Sequence, residues 1–257
     1  MSDSRRKFIK QVGGGLVGLS AISLVGKLGE GEATASSGQA GEKAAIRWGM
    51  VIDMSKCKEG CNDCVDACHT THNVPDHGNA KDEIKWIWKA PFKNVFTSKS
   101  HRHQQEGLLE KPFLTLCNHC DDPPCTRVCP TQATFKRDDG IVQMDFHRCI
   151  GCRFCMAGCP YGSRSFNWRD PRENIKNPQR GFPTRERGVV EKCNFCAERI
   201  DRGLKPTCEE VCSEGVITFG NLNDPNSEIS QLLKSKRTEQ RKTELGTLPS
   251  VFYVTES

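Results

Sequence analysis

Cys149-Ile-Gly-Cys152-Arg-Phe-Cys155-Met-Ala-Gly-Cys159-Pro160 is the stretch on which the fold turns. Three closely spaced thiols in one short loop converge on a single centre, and Gly151 lets the backbone approach it. The fourth, expected a turn into a following helix, reaches toward a second centre. C-x2-C-x2-C-x3-C-P is a spacing that holds cubane 4Fe-4S clusters in pairs, each fourth cysteine serving the other cluster.

Working outward, Cys117, Cys120, Cys125 and Cys129-Pro130 repeat the form with two extra residues within Asp121-Asp122-Pro123-Pro124. A pair of clusters follows: Cys117, Cys120 and Cys125 with Cys159, and Cys149, Cys152 and Cys155 with Cys129. Between the two groups, Thr134-Phe135 and Ile141 to Met144 flank Asp138-Asp139-Gly140, which predicts a strand, a turn and a strand. Ile52-Asp53 precedes Cys57 by the same interval as Met144-Asp145 precedes Cys149, so an internal repeat is visible. The first group, Cys57, Cys61, Cys64 and Cys68, has one residue more than the regular loop, and His69 stands where proline is usual. The fourth, Cys193, Cys196, Cys208 and Cys212, carries an expanded loop from Ala197 to Thr207, and Val216 to Phe219 reads as a strand after it. By the same exchange, Cys57, Cys61 and Cys64 pair with Cys212, and Cys193, Cys196 and Cys208 pair with Cys68.

These four groups use all sixteen cysteines of the chain. A cubane takes four thiolates, so the count predicts four 4Fe-4S clusters and electron transfer as the task. Disulfides usually join distant segments, whereas these thiols crowd within single loops. Zinc ribbons set their cysteine pairs well apart, while the second and third groups close sooner and end in proline. The first trio also fits the radical-SAM pattern, but that chemistry needs a large barrel and a cytosolic cosubstrate. A zinc-stiffened structural module remains the rival from another class; it predicts a colourless protein without labile sulfide.

The 257 residues are polar, with 36% hydrophobic, which is thin material for an ordinary core. Ligation that exists only in the folded state relieves the shortage, so the apoprotein is expected to be largely unfolded. The formal charge is +5. Residues 1–35 contribute +2 of it, and each oxidised cluster with its thiolates carries about −2, which brings the mature chain to about −5. Nucleic acid is therefore not an expected partner. Ser4-Arg5-Arg6-Lys7-Phe8-Ile9-Lys10, the apolar run Val12 to Gly26, and Ala33-Thr34-Ala35 read as a twin-arginine export signal over 1–35. That route carries folded cargo, which suits clusters built in the cytoplasm, and it sends the chain to the outer face of the cytoplasmic membrane. The apolar run is short of the ~20 residues that usually span a bilayer, though an uncleaved anchor is the alternative.

From Trp48 to Tyr253 the sequence resembles the four-cluster iron-sulfur subunits of membrane-associated oxidoreductases, including those of polysulfide, nitrite and dimethyl sulfoxide reductases. The marks are Cys117-Asn-His-Cys120 through Pro123-Pro124-Cys125 to Val128-Cys129-Pro130, then Cys159-Pro160-Tyr161-Gly162, then Lys192-Cys193-Asn-Phe-Cys196 with Arg199, Gly203 and Pro206. In that family the groups pair first with fourth and second with third. The widened first group ending in Cys68-His69, the export signal and the tail Ser227 to Val254 look most like the periplasmic ferredoxin-like subunit of the sulfite-reduction-associated (Dsr) quinone-interacting complex. This resemblance implies sulfur metabolism and, as partners, a polytopic quinone-interacting membrane subunit, a multihaem cytochrome c, a haem b subunit and a cytoplasmic iron-sulfur protein. The rival placement is as the electron-transfer subunit of a molybdopterin-type reductase of thiosulfate, polysulfide or a similar acceptor.

The expected architecture is α+β: two intertwined ferredoxin-like units, each holding two clusters. One unit joins groups at 47–68 and 190–220, the other spans 113–166, and an insert (70–116) and a tail (221–257) wrap around them. The insert holds His72, His77, His101 and His103 beside Trp86 and Trp88, and reads as partner-facing or simply packed. His119 and His147 lie near cluster cysteines, where a hydrogen bond to sulfur or plain loop packing is possible. The run Lys234 to Lys242 reads as a solvated face, and Leu248 to Val254 as an extended segment lying on the domain or on a partner. No Ser-His-Asp set, phosphate loop or carboxylate pair suggests a substrate site.

Overall fold

Strand β1, Trp48–Ile52, reads Trp-Gly-Met-Val-Ile and alternates its side chains between two packed faces. It runs antiparallel to β8 (Ile217–Asn221) and parallel to β10 (Val251–Val254), which in turn pairs with β9 (Thr238–Glu239). On one face Met50, Ile52, Ile217, Val251 and Tyr253 enter the main core. On the other, Val51 and Val254 meet Ile229 of helix α7 (Glu228–Ser235), whose N-terminus is capped by Ser227 Oγ accepting from the Ser230 amide. Gly49 and Gly220 face each other across β1 and β8; a Cβ on Gly49 would stand 2.6 Å from Leu222, and one on Gly220 2.8 Å from Ile229. Their bareness lets the helix and its leading loop lie close on the sheet. This computed structural model describes residues 45–101, 103–104 and 107–255, all within the unit Lys43–Ser257. The export signal read in residues 1–35 lies outside the described residues.

The expected strand-turn-strand is present as β4 (Thr134–Lys136) and β5 (Val142–Met144), turned at Gly140 with φ +84°. Its register repeats that of the large sheet. Thr134, five residues after Cys129, pairs with Met144, five before Cys149. Ile217, five after Cys212, pairs with Ile52, five before Cys57. The helices repeat as well: α3 (Pro124–Arg127) packs on α4 (Phe154–Ala157), and α1 (Asp63–Thr71) packs on α6 (Thr207–Glu210). One half is thus built from neighbouring sequence and its counterpart from segments more than a hundred residues apart. The chain is a mixed α+β fold with this internal equivalence.

The insert is packed rather than displayed. Strand β2 (Ile87–Pro91) pairs with β3 (Pro112–Leu116), and the short α2 (Phe92–Val95) follows β2 directly. Ile84, Trp86, Ile87, Val95 and Phe96 all join the main core. The short pair β6 (Ser165–Phe166) and β7 (Val190–Glu191) sets up the fourth cysteine group, and α5 (Ala197–Ile200) follows Cys196. The tail closes the sheet as its third strand, so Leu248 to Val254 lies on the domain. One expectation is overturned within the charge run: Arg241 is buried, with Nε donating to the Val95 carbonyl at 3.2 Å and its guanidinium over the Tyr161 ring at 5.4 Å. Its long apolar stem and planar head fill space between insert and tail, which a pattern of charges alone does not reveal.

Candidate metal centres

The cysteines sit on helix ends, with one difference from expectation. Cys125, Cys155 and Cys208 lie inside the one-turn helices α3, α4 and α6, and Cys129, Cys159 and Cys212 lie just past their ends, not within a following helix. After Cys129 and Cys159 the next residue is proline, which cannot donate to a continuing helix. At the first group no proline intervenes, and α1 runs on to Thr71 with Cys64 and Cys68 one turn apart on it. The loop before α4 is turned by Gly151 at φ +70° and Arg153 at φ +64°.

Convergence across groups follows the internal equivalence of the fold. Cys57, Cys61, Cys64 and Cys212 line one cavity, Cys117, Cys120, Cys125 and Cys159 a second, and Cys129, Cys149, Cys152 and Cys155 a third. Cys68 is buried in the main core with Cys193 and Cys208, and the sulfurs of Cys193, Cys196 and Cys208 add to the burial that raises its pKa. The sets also follow one another. Cys208 and Cys68 are each influenced by Cys64 of the first cavity, Cys193 by Cys117, and Cys155 by Cys125.

Half of these thiols are buried among other sulfurs. Burial, reinforced by neighbouring sulfurs, pushes Cys64 up to about 11 and Cys120 up to about 12, and it pushes Cys68, Cys193 and Cys208 up as well. Four sulfurs facing one cavity out of water need a multivalent cationic core to stay as thiolates, and an iron-sulfur cube supplies one. The donor set therefore fits such a group. The chain adds donors to sulfur: Phe195 N–H to Cys193 at 3.4 Å, Val216 N–H to Cys212 at 3.4 Å and Arg164 Nη2 to Cys125 at 3.0 Å. Such bonds stabilise charge on sulfur.

Three side chains emerge that sequence reasoning passed over or discounted. His72, which the sequence places only among the insert's histidines, is buried beside Cys68, its Nδ1 2.9 Å from the Cys68 carbonyl and 3.7 Å from the sulfur. Burial lowers its affinity for a proton, but hydrogen bonds to Cys196 and to Glu198, the latter at 2.9 Å, outweigh that and hold it up at about 9. The ring stacks on Trp86 at 4.6 Å, and Arg185 donates to the His72 carbonyl while pairing with Glu191 at 2.5 Å in full burial. Lys192, next to Cys193 in its motif, is buried; burial lowers its pKa, and the sulfurs of Cys117 and Cys193 oppose that fall. Its place beside Cys193 was the available signal. Arg164 carried none. Of the histidines near cluster cysteines, His119 is buried with Nδ1 accepting from Val142 N–H at 3.0 Å and its ring stacked on Phe195 at 3.6 Å, so packing accounts for it. His147 is exposed.

Comparison with known proteins points the same way. The family model of the 4Fe-4S dicluster domain matches residues 111–174 and 179–222. The Hdr-like menaquinol oxidoreductase iron-sulfur subunit 1 of Archaeoglobus fulgidus is 42% identical over 229 residues, covering 80% of this chain and 82% of its own. The menaquinone reductase iron-sulfur cluster-binding subunit of Nitratidesulfovibrio vulgaris is 37% identical, with 81% of this chain and 89% of its own covered. A subunit of tetrathionate reductase from Salmonella typhimurium is 34% identical, covering 99% of this chain and 89% of its own. The chain carries four 4Fe-4S clusters, as its sixteen cysteines and the dicluster match require. Among the described residues no helix is long and apolar enough to cross a membrane.

Proposed function

Because this chain belongs to the four-cluster iron-sulfur subunits of membrane-associated oxidoreductases, we propose that it relays single electrons for a quinone-linked complex of sulfur metabolism, on the outer face of the cytoplasmic membrane. The observation that carries the relay is that successive groups pack on one another: Cys64, Cys68, Cys117, Cys193 and Cys208 share the main core, Cys117 and Cys125 line one cavity, and Cys125 and Cys155 share the second core. In this reading the order is Cys57/Cys61/Cys64/Cys212, then Cys68/Cys193/Cys196/Cys208, then Cys117/Cys120/Cys125/Cys159, then Cys129/Cys149/Cys152/Cys155. Each adjacent pair at the two ends of the line is one ferredoxin-like unit. When bound, the clusters supply one-electron oxidation and reduction. The chain's own part is to space the sets, exclude water from them and direct N–H groups at sulfur. It makes no bond in a substrate.

Quinone linkage is supported by the relatives whose names specify menaquinol or menaquinone, and export by the twin-arginine pattern of residues 1–35. The partners of this reading are a polytopic quinone-interacting membrane subunit and a multihaem cytochrome c. A relative named as a tetrathionate reductase subunit favours the second placement, as the electron-transfer subunit of a reductase, here of the molybdopterin type. Purifying the complex from native membranes through a tag on this chain separates the two. Haem b and c without molybdenum or tungsten is the expected result; stoichiometric molybdenum or tungsten would move the chain to the reductase class. For the ligand sets, Cys155→Ser is expected to alter one EPR signal of the reduced protein, and unchanged spectra with about sixteen irons per chain would remove Cys155 from its set.

A further inference from the structure

Two buried cations stand between successive sulfur sets, and among the described residues neither is paired with a carboxylate. Lys192 is 1% exposed, and its Nζ donates to the carbonyls of Val142 and, at 2.7 Å, of Cys193. The groups acting on its charge are the sulfurs of Cys117, Cys193 and Cys125 and the guanidinium of Arg164. Arg164 is 5% exposed and donates to Cys125 Sγ at 3.0 Å and to Thr134 Oγ1 at 3.1 Å. The sulfurs around it are those of Cys125, Cys155 and Cys117.

A buried charge without a counter-ion is strongly unfavourable, so the balancing charge for both must come from the sulfur sets. Lys192 faces sulfurs of the second and third sets in the line, and Arg164 faces sulfurs of the third and fourth. Each is therefore placed at a junction, where one fixed positive charge acts on two centres through a medium that screens it poorly. We propose that Lys192 and Arg164 set the reduction potentials of the relay, each stabilising the reduced form of the two clusters that flank it. One electron crosses such a junction, one cluster being oxidised as its neighbour is reduced, and no bond is made or broken. The first set has a cation too, Lys89, which donates to the Cys61 carbonyl, but it is partly exposed and water screens it.

This inference rests on the cluster order of the proposed function. The test is an EPR-monitored redox titration of the tag-purified complex with Lys192→Gln and Arg164→Gln, which keep donor groups and remove the charge. Signals are assigned to sets with single Cys→Ser variants. Lys192→Gln is expected to lower the midpoints of the second and third clusters, shifting their oxidised-to-reduced ratio at fixed potential at least tenfold, about 59 mV for one electron. Arg164→Gln is expected to do the same to the third and fourth. The third cluster thus moves in both variants and the first in neither, while Lys192→Arg keeps wild-type midpoints. Full iron content with all four midpoints unchanged in both neutral variants would overturn the proposal. So would loss of iron in both, rescued by Lys192→Arg and Arg164→Lys, which would make the cations structural counter-ions only. If the shifts occur but the Cys→Ser signals regroup, the cluster order fails and the role of the charges stands.

Discussion

At Gly151 the backbone adopts φ +70°, and a Cβ there would lie 2.4 Å from the Gly188 carbonyl oxygen. The first disfavours a side chain and the second leaves it no room. A left-handed conformation costs a non-glycine residue roughly 1–3 kcal/mol, and here the obstacle is backbone rather than a side chain that can swing aside. The residue lies between Cys149 and Cys152, so its displacement carries both sulfurs with it. Gly151→Ala is expected to cost the chain the cluster proposed for Cys129, Cys149, Cys152 and Cys155 while leaving the other three. Iron analysis and EPR of the reduced protein read this directly; a full complement of signals would mean that the loop tolerates the shift. Gly162, also at positive φ, has open space where its Cβ would lie and meets only the conformational cost.

At the scale of elements, the matched registers of β4 with β5 and β8 with β1 tie the position of each cysteine group to a strand pair. Strand β10 completes the second arrangement, since it lies between β1 and β9 and buries Val251 and Tyr253, with the Tyr253 hydroxyl donating to the Leu114 carbonyl at 2.9 Å. Burial of each such side chain contributes about 1.5–3 kcal/mol, and whole domains are stable by only about 5–15 kcal/mol. Ending the chain after Pro249 is therefore expected to abolish accumulation of soluble, brown protein. Recovery of a truncated chain with full iron would show that the sheet holds without its third strand. The tail's role was not legible in the sequence, because a short apolar run flanked by polar residues suits a partner groove as well as a sheet. The same ambiguity hid the insert, whose Trp86 donates to Glu191 at 2.9 Å from deep in the core. The cysteine groups and the strands flanking them were legible because ligation crowds thiols into short stretches of chain, whereas Arg241 and Arg164 are placed by tertiary contacts that leave no local pattern.

For the whole molecule, the sulfur sets stand where an ordinary domain would have apolar side chains. The core around β5 and β7 consists of Cys125, Val142, Cys155 and Val190, so half of its buried members are proposed ligands. The core beneath β1 is larger and includes Met50, Ile52, Ile84, Trp86, Leu114, Leu116, Val251 and Tyr253 beside its cysteines. Removing iron leaves both with buried thiols pressed on one another and with cavities where the cubes were. It also leaves Lys192 and Arg164 without counter-charge, and a buried charge that has lost its partner typically costs about 3–5 kcal/mol. The first core cannot absorb that with two valines, while the second keeps its aromatic and aliphatic packing. The apoprotein is therefore expected to lose most of its structure, with residual order confined to β1, β8 and β10. Hydrogen exchange after chelation under reducing conditions should find the amides of 124–157 exchanging freely while Met50, Ile52 and Tyr253 retain protection. Native-like protection throughout would mean that the polypeptide, not the metal, holds this fold together.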